Sequence, residues 1–190
     1  MRTQFYTASS LDGFLATEDD SLDWLFAIGE LSTSSYPAFI AEVGALAMGS
    51  ATYEWIVRNG ERVAHEAGSA WPYAQSAWVF TRRRLPGVAG ADVRFVAGDV
   101  RPVHAAMATA AAGRNVWIVG GGDLAGQFHD AGLLDDVIVQ VGSVTLGRGK
   151  PLFPRRVLSP DLRLVSVRQM GWGMAELRYE VGRRAVDGDG

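Results

Sequence analysis

Val116-Trp117-Ile118-Val119 runs without a polar break into Gly120-Gly121-Gly122 and then Asp123. An uninterrupted apolar run this short, bounded by glycine, reads as a strand buried on both faces. Strands of that kind belong to parallel sheets covered by helices. Residues 123–131 read as the helix that follows. Such a junction turns free backbone N–H groups and the positive end of a helix dipole toward whatever lies beyond the strand, which favours an anion. It is equally the turn that any strand-to-helix connection needs, and the junction alone leaves both readings open.

The arrangement recurs. Ala45-Leu46-Ala47-Met48 reads as a buried strand, Gly49-Ser50 as a turn, and the stretch to Arg58 as a helix with Ser50 as its N-cap. Alone it is a turn more readily than a site, but two junctions in one sheet can share the phosphates of a dinucleotide. A third segment, Val79-Phe80-Thr81, ends in Arg82-Arg83-Arg84. A planar guanidinium at a strand's carboxyl end can grip a ribose phosphate and so select NADPH over NADH. A solvated basic turn has the same appearance. No GxGxxG follows the first strand, so the Rossmann signature is missing.

The remaining pattern organises around these pieces. Residues 4–8 form a short strand, 11–21 a loop rich in Asp and Gly, and 23–26 a short helical segment. A helix opens at Pro37 and runs to Val43, where Gly44 ends it. Residues 59–73 read as a long irregular loop. Strands are expected at 77–81, 93–97 and 136–141, and an Ala-rich helix at 102–112. Residues 162–169 and 174–181 alternate apolar and polar, joined by Gly171-Trp172-Gly173, and read as an edge β-hairpin. The expectation is one α/β domain over residues 1–182. It has a central, mixed, mostly parallel sheet, helices on both faces and a C-terminal antiparallel hairpin. Residues 183–190 are expected to form a disordered polar tail.

Composition narrows the function classes. The 190 residues are 48% hydrophobic and 21% charged, with a net charge of -3, so no basic field points to nucleic acid. The chain holds no cysteine, which removes disulfides, thiolate metal sites and cysteine nucleophiles. His65, His104 and His129 are scattered without ligand spacing, and no metal is expected. No apolar run approaches the roughly 18 residues that span a bilayer, and Met1-Arg2-Thr3-Gln4 leads straight into a strand rather than a signal sequence. The expectation is a cytoplasmic protein without a membrane partner.

Taken in order, five segments resemble the dihydrofolate-reductase-like superfamily. Within it, the reductase domain of the riboflavin-biosynthesis deaminase-reductase and its stand-alone relatives match best. The segments are Ser10-Leu11-Asp12-Gly13-Phe14-Leu15-Ala16, Met48-Gly49-Ser50-Ala51-Thr52-Tyr53-Glu54, Val79-Phe80-Thr81-Arg82, Ile118-Val119-Gly120-Gly121-Gly122 and Leu146-Gly147-Arg148-Gly149-Lys150-Pro151-Leu152-Phe153. The resemblance implies the three-layer dihydrofolate-reductase-like fold, with NADPH lying across the strand ends and hydride passing to a small heterocycle, pterin- or pyrimidine-like. It implies Gly49, Ser50 and Thr52 near the cofactor phosphates, Thr81 and Arg82 near the adenosine ribose and its phosphate, and Gly120, Gly121, Gly122, Asp123 and Leu124 against the pyrophosphate. It also implies a cis Gly120-Gly121 bond, a geometry that costs about 3 kcal/mol outside proline. Substrate would enter near Ala8, Asp12 and Trp24. Relatives are often homodimers joined through edge strands, which here means the hairpin.

The chain departs from the family in two places. Dihydrofolate reductases carry Asp or Glu early in the helix before the Met-Gly segment. Here that stretch reads Thr33-Ser34-Ser35-Tyr36, and Glu42 comes only at the helix's end. This argues against dihydrofolate as the physiological substrate. The deaminase's zinc signature is also absent.

Asp12 is the first candidate for the catalytic acid, or for a substrate anchor, although Asp-Gly is also a common turn pair. Asp19, Asp20 and Asp23, or water, are alternatives. Trp24 can stack on a heteroaromatic ring or pack in the core. Tyr53, Trp55 and Trp117 read as core. The competing function is a nucleotide-binding module of the same fold without turnover, and a third reading is a structural dimer.

Overall fold

The computed structural model describes residues 1–28 and 34–182, with only the backbone of residues 66 and 67. Thr33 and the expected tail at 183–190 lie outside the described residues. The elements in chain order are β1 (Thr3–Ser10), β2 (Phe14–Ala16), α1 (Asp23–Phe26), α2 (Tyr36–Ala41), β3 (Val43–Gly49), α3 (Ser50–Arg58), α4 (Gly60–Ala67), β4 (Ser76–Phe80), β5 (Val93–Val96), α5 (Val100–Ala111), β6 (Asn115–Gly120), α6 (Gly122–Asp130), β7 (Asp136–Gly142), β8 (Lys150–Pro151), β9 (Leu162–Met170) and β10 (Met174–Val181).

Eight strands form one sheet in the order β5-β4-β3-β6-β1-β7-β10-β9. The first six are parallel; β10 pairs antiparallel with β7 and β9 with β10. The parallel strands are apolar on both faces because helices cover both. Phe5, Ala45, Ala47, Trp78, Val116 and Ile118 pack against α5 and α6 through Met107, Ala111, Leu124 and Phe128. On the opposite face, Tyr6, Leu46, Met48, Val79 and Trp117 meet Tyr53 and Ile56 of α3, with Tyr36 and Phe39 of α2 beside them. Full burial of Phe5, Phe128 and Leu46 contributes roughly 1.5–3 kcal/mol each. The expected architecture, a mostly parallel sheet between helices closed by an antiparallel hairpin, is what the chain adopts.

Several local expectations change. Gly44 does not end a helix; α2 stops at Ala41 and Gly44 lies inside β3. It is bare because α5 packs its main chain onto it: a Cβ there would sit 2.5 Å from the Ala111 carbonyl oxygen. Gly49, not Ser50, is the N-cap of α3, and Ser50 is its first helical residue. The expected loop at 59–73 contains α4, closed by Gly68 in the left-handed conformation. The loop at 11–21 contains β2, which pairs antiparallel with β8 as a second, two-stranded sheet. The Gly120-Gly121 bond is not cis. Among the described residues the cis bond is Ser159-Pro160, and the turn after β6 is made instead by Gly121 at φ 96°. Glycine adopts that φ at little cost.

Candidate active site

The carboxyl ends of three neighbouring parallel strands lie side by side: Thr81 and Arg82 just beyond β4, Gly49 and Ser50 where β3 meets α3, and Gly120 to Gly122 where β6 meets α6. Adjacent strands are about 4.8 Å apart, so the row spans roughly 10 Å. α3 and α6 start from the second and third of these ends. Neither receives a hydrogen bond from an N-cap side chain. Their first backbone N–H groups are therefore without side-chain caps, at the positive ends of two nine-residue helices. The two starts adjoin: a Cβ on Gly121 would lie 3.9 Å from the Gly49 nitrogen, whereas one on Gly49 would meet nothing within 4 Å. Gly120 is bare for packing, since a Cβ there would lie 2.6 Å from Thr52 Oγ1.

Beside this row, a cavity of about 570 Å3 opens over the sheet. Its floor is Tyr6, Ala8, Trp117, Val119 and Gln140, contributed by β1, β6 and β7. One wall is α3, where Ala51, Thr52, Trp55 and Ile56 share a helical face. The opposite wall is Leu15 and Ala16 of β2 with Leu22, Trp24 and Leu25 at α1. Gly120, Gly121, Gly122 and Asp123 complete it at the end of β6. Asp20 and Lys150, 3.6 Å apart, form an ion pair on the lining, and Lys150 is the chain's sole lysine.

Of the residues singled out in the sequence, Ala8, Trp24, Thr52, Gly120, Gly121, Gly122 and Asp123 come together on this cavity. Trp24 belongs to it and to the core at once. It packs with Met170 and Met174 and donates its indole N–H to the Leu15 carbonyl at 3.3 Å. Asp123 is already paired, accepting from Arg155 at 3.1 Å and from Gln127 at 2.9 Å. Gly49 and Ser50 lie in the adjoining row rather than on the cavity. The Leu124 side chain is buried in the core beneath α6. Thr81 accepts the Arg83 amide at 3.0 Å, and Arg83 pairs with Glu54. Arg82 is exposed, with no hydrogen bond or ion pair among the described residues.

Asp12 sits away from the cavity. Its carboxylate accepts from Ser10 Oγ at 2.6 Å and from the backbone N–H groups of Leu146 and Gly147 at 3.1 and 2.7 Å. The Ser10 hydroxyl above all, and these amides, hold it below the usual carboxylate range. At neutral pH it is a carboxylate that pins one loop to another.

Tyr6, Gln140, Trp55 and Lys150 line the cavity without having been singled out for it. Gln140 was the most visible of them, as the one polar residue inside Val137-Ile138-Val139-Gln140-Val141. Trp55 and Trp117 line the cavity as well as packing the core. The Trp117 indole donates to the Tyr6 carbonyl at 2.9 Å. Among the described residues no helix is long and apolar enough to cross a membrane.

A mostly parallel eight-stranded sheet with this crevice beyond its carboxyl ends defines an α/β protein of the dihydrofolate-reductase-like fold. The chain belongs to the RibD C-terminal domain family, whose profile matches residues 73–175. It is 31% identical over 179 residues to the uncharacterized protein YwjB of Bacillus subtilis (strain 168), covering 94% of this chain and 97% of that one. The structure of a putative riboflavin biosynthesis protein from Shewanella sp. PV-4 superimposes with a TM-score of 0.77 at 22% identity, covering 96% of this chain and 100% of the other. Dihydrofolate reductase from Enterococcus faecalis, complexed with NADP(H), superimposes with a TM-score of 0.60 at 16% identity, covering 95% and 96%.

Proposed function

We propose that this chain is an NADPH-dependent reductase acting on a small heterocyclic substrate, pterin- or pyrimidine-like. Its activity would be similar to that of the 5-amino-6-(5-phosphoribosylamino)uracil reductase of riboflavin biosynthesis, in the cytoplasm. The observation that carries the reading is the row of three strand ends, with two helix starts uncapped by side chains, beside a largely apolar cavity. An elongated polyanion fits that row and a planar ring fits the cavity.

In this reading the backbone N–H groups at Ser50 and from Gly121 to Leu124 bind the phosphates, and Thr52 closes over them. Gly49 leaves room for a phosphate to approach the main chain. Arg82, without an ion-pair partner at the end of β4, grips the phosphate on the adenosine ribose, with Thr81 bracing the turn. Asp123 contributes its amide, since its carboxylate is already engaged by Arg155. Bound here, the reduced nicotinamide supplies a hydride to a C=N or C=O carbon. Ala8 and Trp24 hold the acceptor ring, and the largely apolar walls disfavour water beside it. Asp12 clamps residues 146 and 147 and so fixes the loop that leads to Lys150.

The runner-up is a nucleotide-binding module without turnover. It is favoured by the position of Asp12 outside the cavity and by the pairing of the lining carboxylates Asp20 and Asp123 with Lys150 and Arg155.

The same reading extends to a homodimer through the outer edge of β9. Leu164, Val165 and Val167 are exposed there, and Trp172 at the hairpin tip is 82% exposed. Light scattering at micromolar protein tests the dimer; a monomer mass removes it.

Fluorescence titration with NADPH and NADH tests the cofactor, since Trp24, Trp55 and Trp117 line the cavity. NADPH is expected to quench at far lower concentration than NADH. Binding of neither at hundreds of micromolar sinks the reading. Binding without oxidation by any pterin, pyrimidine or imine leaves the runner-up.

A further inference from the structure

Tyr6 stands between two hollows. Its side chain lies on the floor of the main cavity and also lines a second hollow of about 300 Å3 on the same face of the sheet. Its hydroxyl lies 3.0 Å from Ser35 Oγ, and that hydroxyl donates to Glu176 Oε2 in a short hydrogen bond. Gln140 holds the group together. Its Nε2 donates to the Tyr6 oxygen in a short bond and to Glu176 Oε2 at 3.1 Å. Glu176 lines the second hollow, with its side chain 15% exposed and Arg168 3.4 Å away.

The carboxylate missing from the start of α2 is thus brought to that place by β10. Register explains how: Glu176 is opposite Gln140, and Gln140 is opposite Ala8, so one row across the sheet links the second hollow to the substrate cavity.

The geometry points to Tyr6 as the proton donor of the proposed reduction, reloaded from the second hollow through Ser35 and Glu176. This rests on the reductase reading above. When hydride adds to the carbon of a C=N bond, the π electrons move to nitrogen. The Tyr6 O–H bond breaks and its proton goes to that nitrogen. The Ser35 proton passes to the Tyr6 oxygen, and Ser35 is reloaded by a proton that the Glu176 carboxyl group takes from a hydronium ion in the second hollow and hands on to the Ser35 oxygen. One reduced nicotinamide is oxidised for each imine reduced. Burial holds the Tyr6 phenol above its ordinary value, so it carries its proton at neutral pH. Tyr73 also lines the cavity, but among the described residues nothing hydrogen-bonds to its hydroxyl, so it has no route for reloading.

Two probes separate proton delivery from hydride delivery. 3,4-Dihydroisoquinoline, at a pH where it is unprotonated, needs a proton to complete reduction. N-methyl-3,4-dihydroisoquinolinium accepts hydride and needs none. In Tyr6→Phe, reduction of the neutral imine is expected to fall at least tenfold while the iminium rate stays within about twofold. Ser35→Ala should reproduce the split and Ser35→Thr should restore the wild-type ratio. Equal losses on both probes, or a split in Tyr73→Phe but not in Tyr6→Phe, overturn the proposal.

A second readout needs no nucleotide. In protein labelled with 13Cζ-tyrosine in mixed H2O and D2O, exchange of the Tyr6 hydroxyl proton should slow severalfold in Glu176→Gln. An unchanged rate overturns the relay. If wild-type protein reduces neither probe and binds no NADPH, the reductase reading falls and the catalytic claim on Tyr6 with it.

Discussion

The two ends of the central sheet treat polar groups in opposite ways. At the amino end, Asp136 is buried to 1% side-chain exposure, yet it accepts from Arg2 at 2.6 Å and from Gln4 at 2.9 Å, with Arg178 at 3.3 Å. Nearby, the Thr3 hydroxyl meets His104 at 2.8 Å, and the Thr3 amide donates to Asp135 at 2.8 Å. At the carboxyl end, two helix starts have no side-chain cap and Arg82 has no partner among the described residues. Buried polar groups are costly unless paired. The amino end spends its polar residues on holding β1 to β7, and the carboxyl end leaves comparable groups without side-chain partners among the described residues. Changes at one end should therefore be felt in stability, and at the other in binding.

The largest effect is expected at the amino end. Burial alone would raise Asp136, but its bonds to Arg2 and Gln4 outweigh that and hold it below the ordinary carboxylate range. Asp136→Ala is expected to cost about 2–3 kcal/mol in denaturant unfolding, less than for a fully buried pair because both arginines reach water. NADPH affinity of the folded fraction should be unchanged; a large loss of affinity would break the division between the ends.

Arg82→Ala comes next. Loss of a charge-assisted phosphate contact should weaken NADPH by about 2 kcal/mol, roughly thirty-fold, and leave NADH and the unfolding midpoint where they were. Equal weakening of the two nucleotides would remove Arg82 from the ribose-phosphate site.

Gly49→Ala sharpens the contrast further, because φ is -77° and the added methyl meets no protein atom. It should change stability by less than about 1 kcal/mol while weakening NADPH about tenfold. Unchanged affinity would show that no ligand approaches that backbone.

The smallest effect is a pH dependence at the amino end. Burial depresses the His104 pKa below its ordinary 6.5, only partly opposed by Asp135. The folded protein therefore binds fewer protons here than the unfolded chain between the two values. Stability is full above 6.5, declines as the pH falls through that window, and is flat below the folded value. Unfolding at pH 8, 6 and 5 should show this decline in wild type, reduced in His104→Gln.

The parallel layers were legible in the sequence because runs such as Val116 to Val119 allow few alternatives. The candidate cavity was legible only at one end, where the same glycines line it. What escaped did so for physical reasons. β2 and β8 are three and two residues long and lie far apart in the chain, so neither has a period of its own to read. Gly44 carries the signal of a helix stop, but its reason is the α5 main chain packed against it. α4 carries little apolar bulk beyond Val63. Trp55 sits at helical spacing from Ala51 and Thr52, and the same face that would mark a core stripe instead lines the cavity. Glu176 looks like the polar half of an alternating edge strand, and only the fold brings it to Ser35 and Gln140.

The solitary lysine has a practical consequence for anyone wishing to label this protein. Lys150 is 48% exposed and lines the cavity, while every other basic side chain of the Lys and Arg class is arginine. Amine-selective reagents thus find one side-chain target, at the cavity, besides the amino terminus of the chain. A fluorophore or acetyl group attached through ordinary lysine chemistry would report on, or obstruct, that one place.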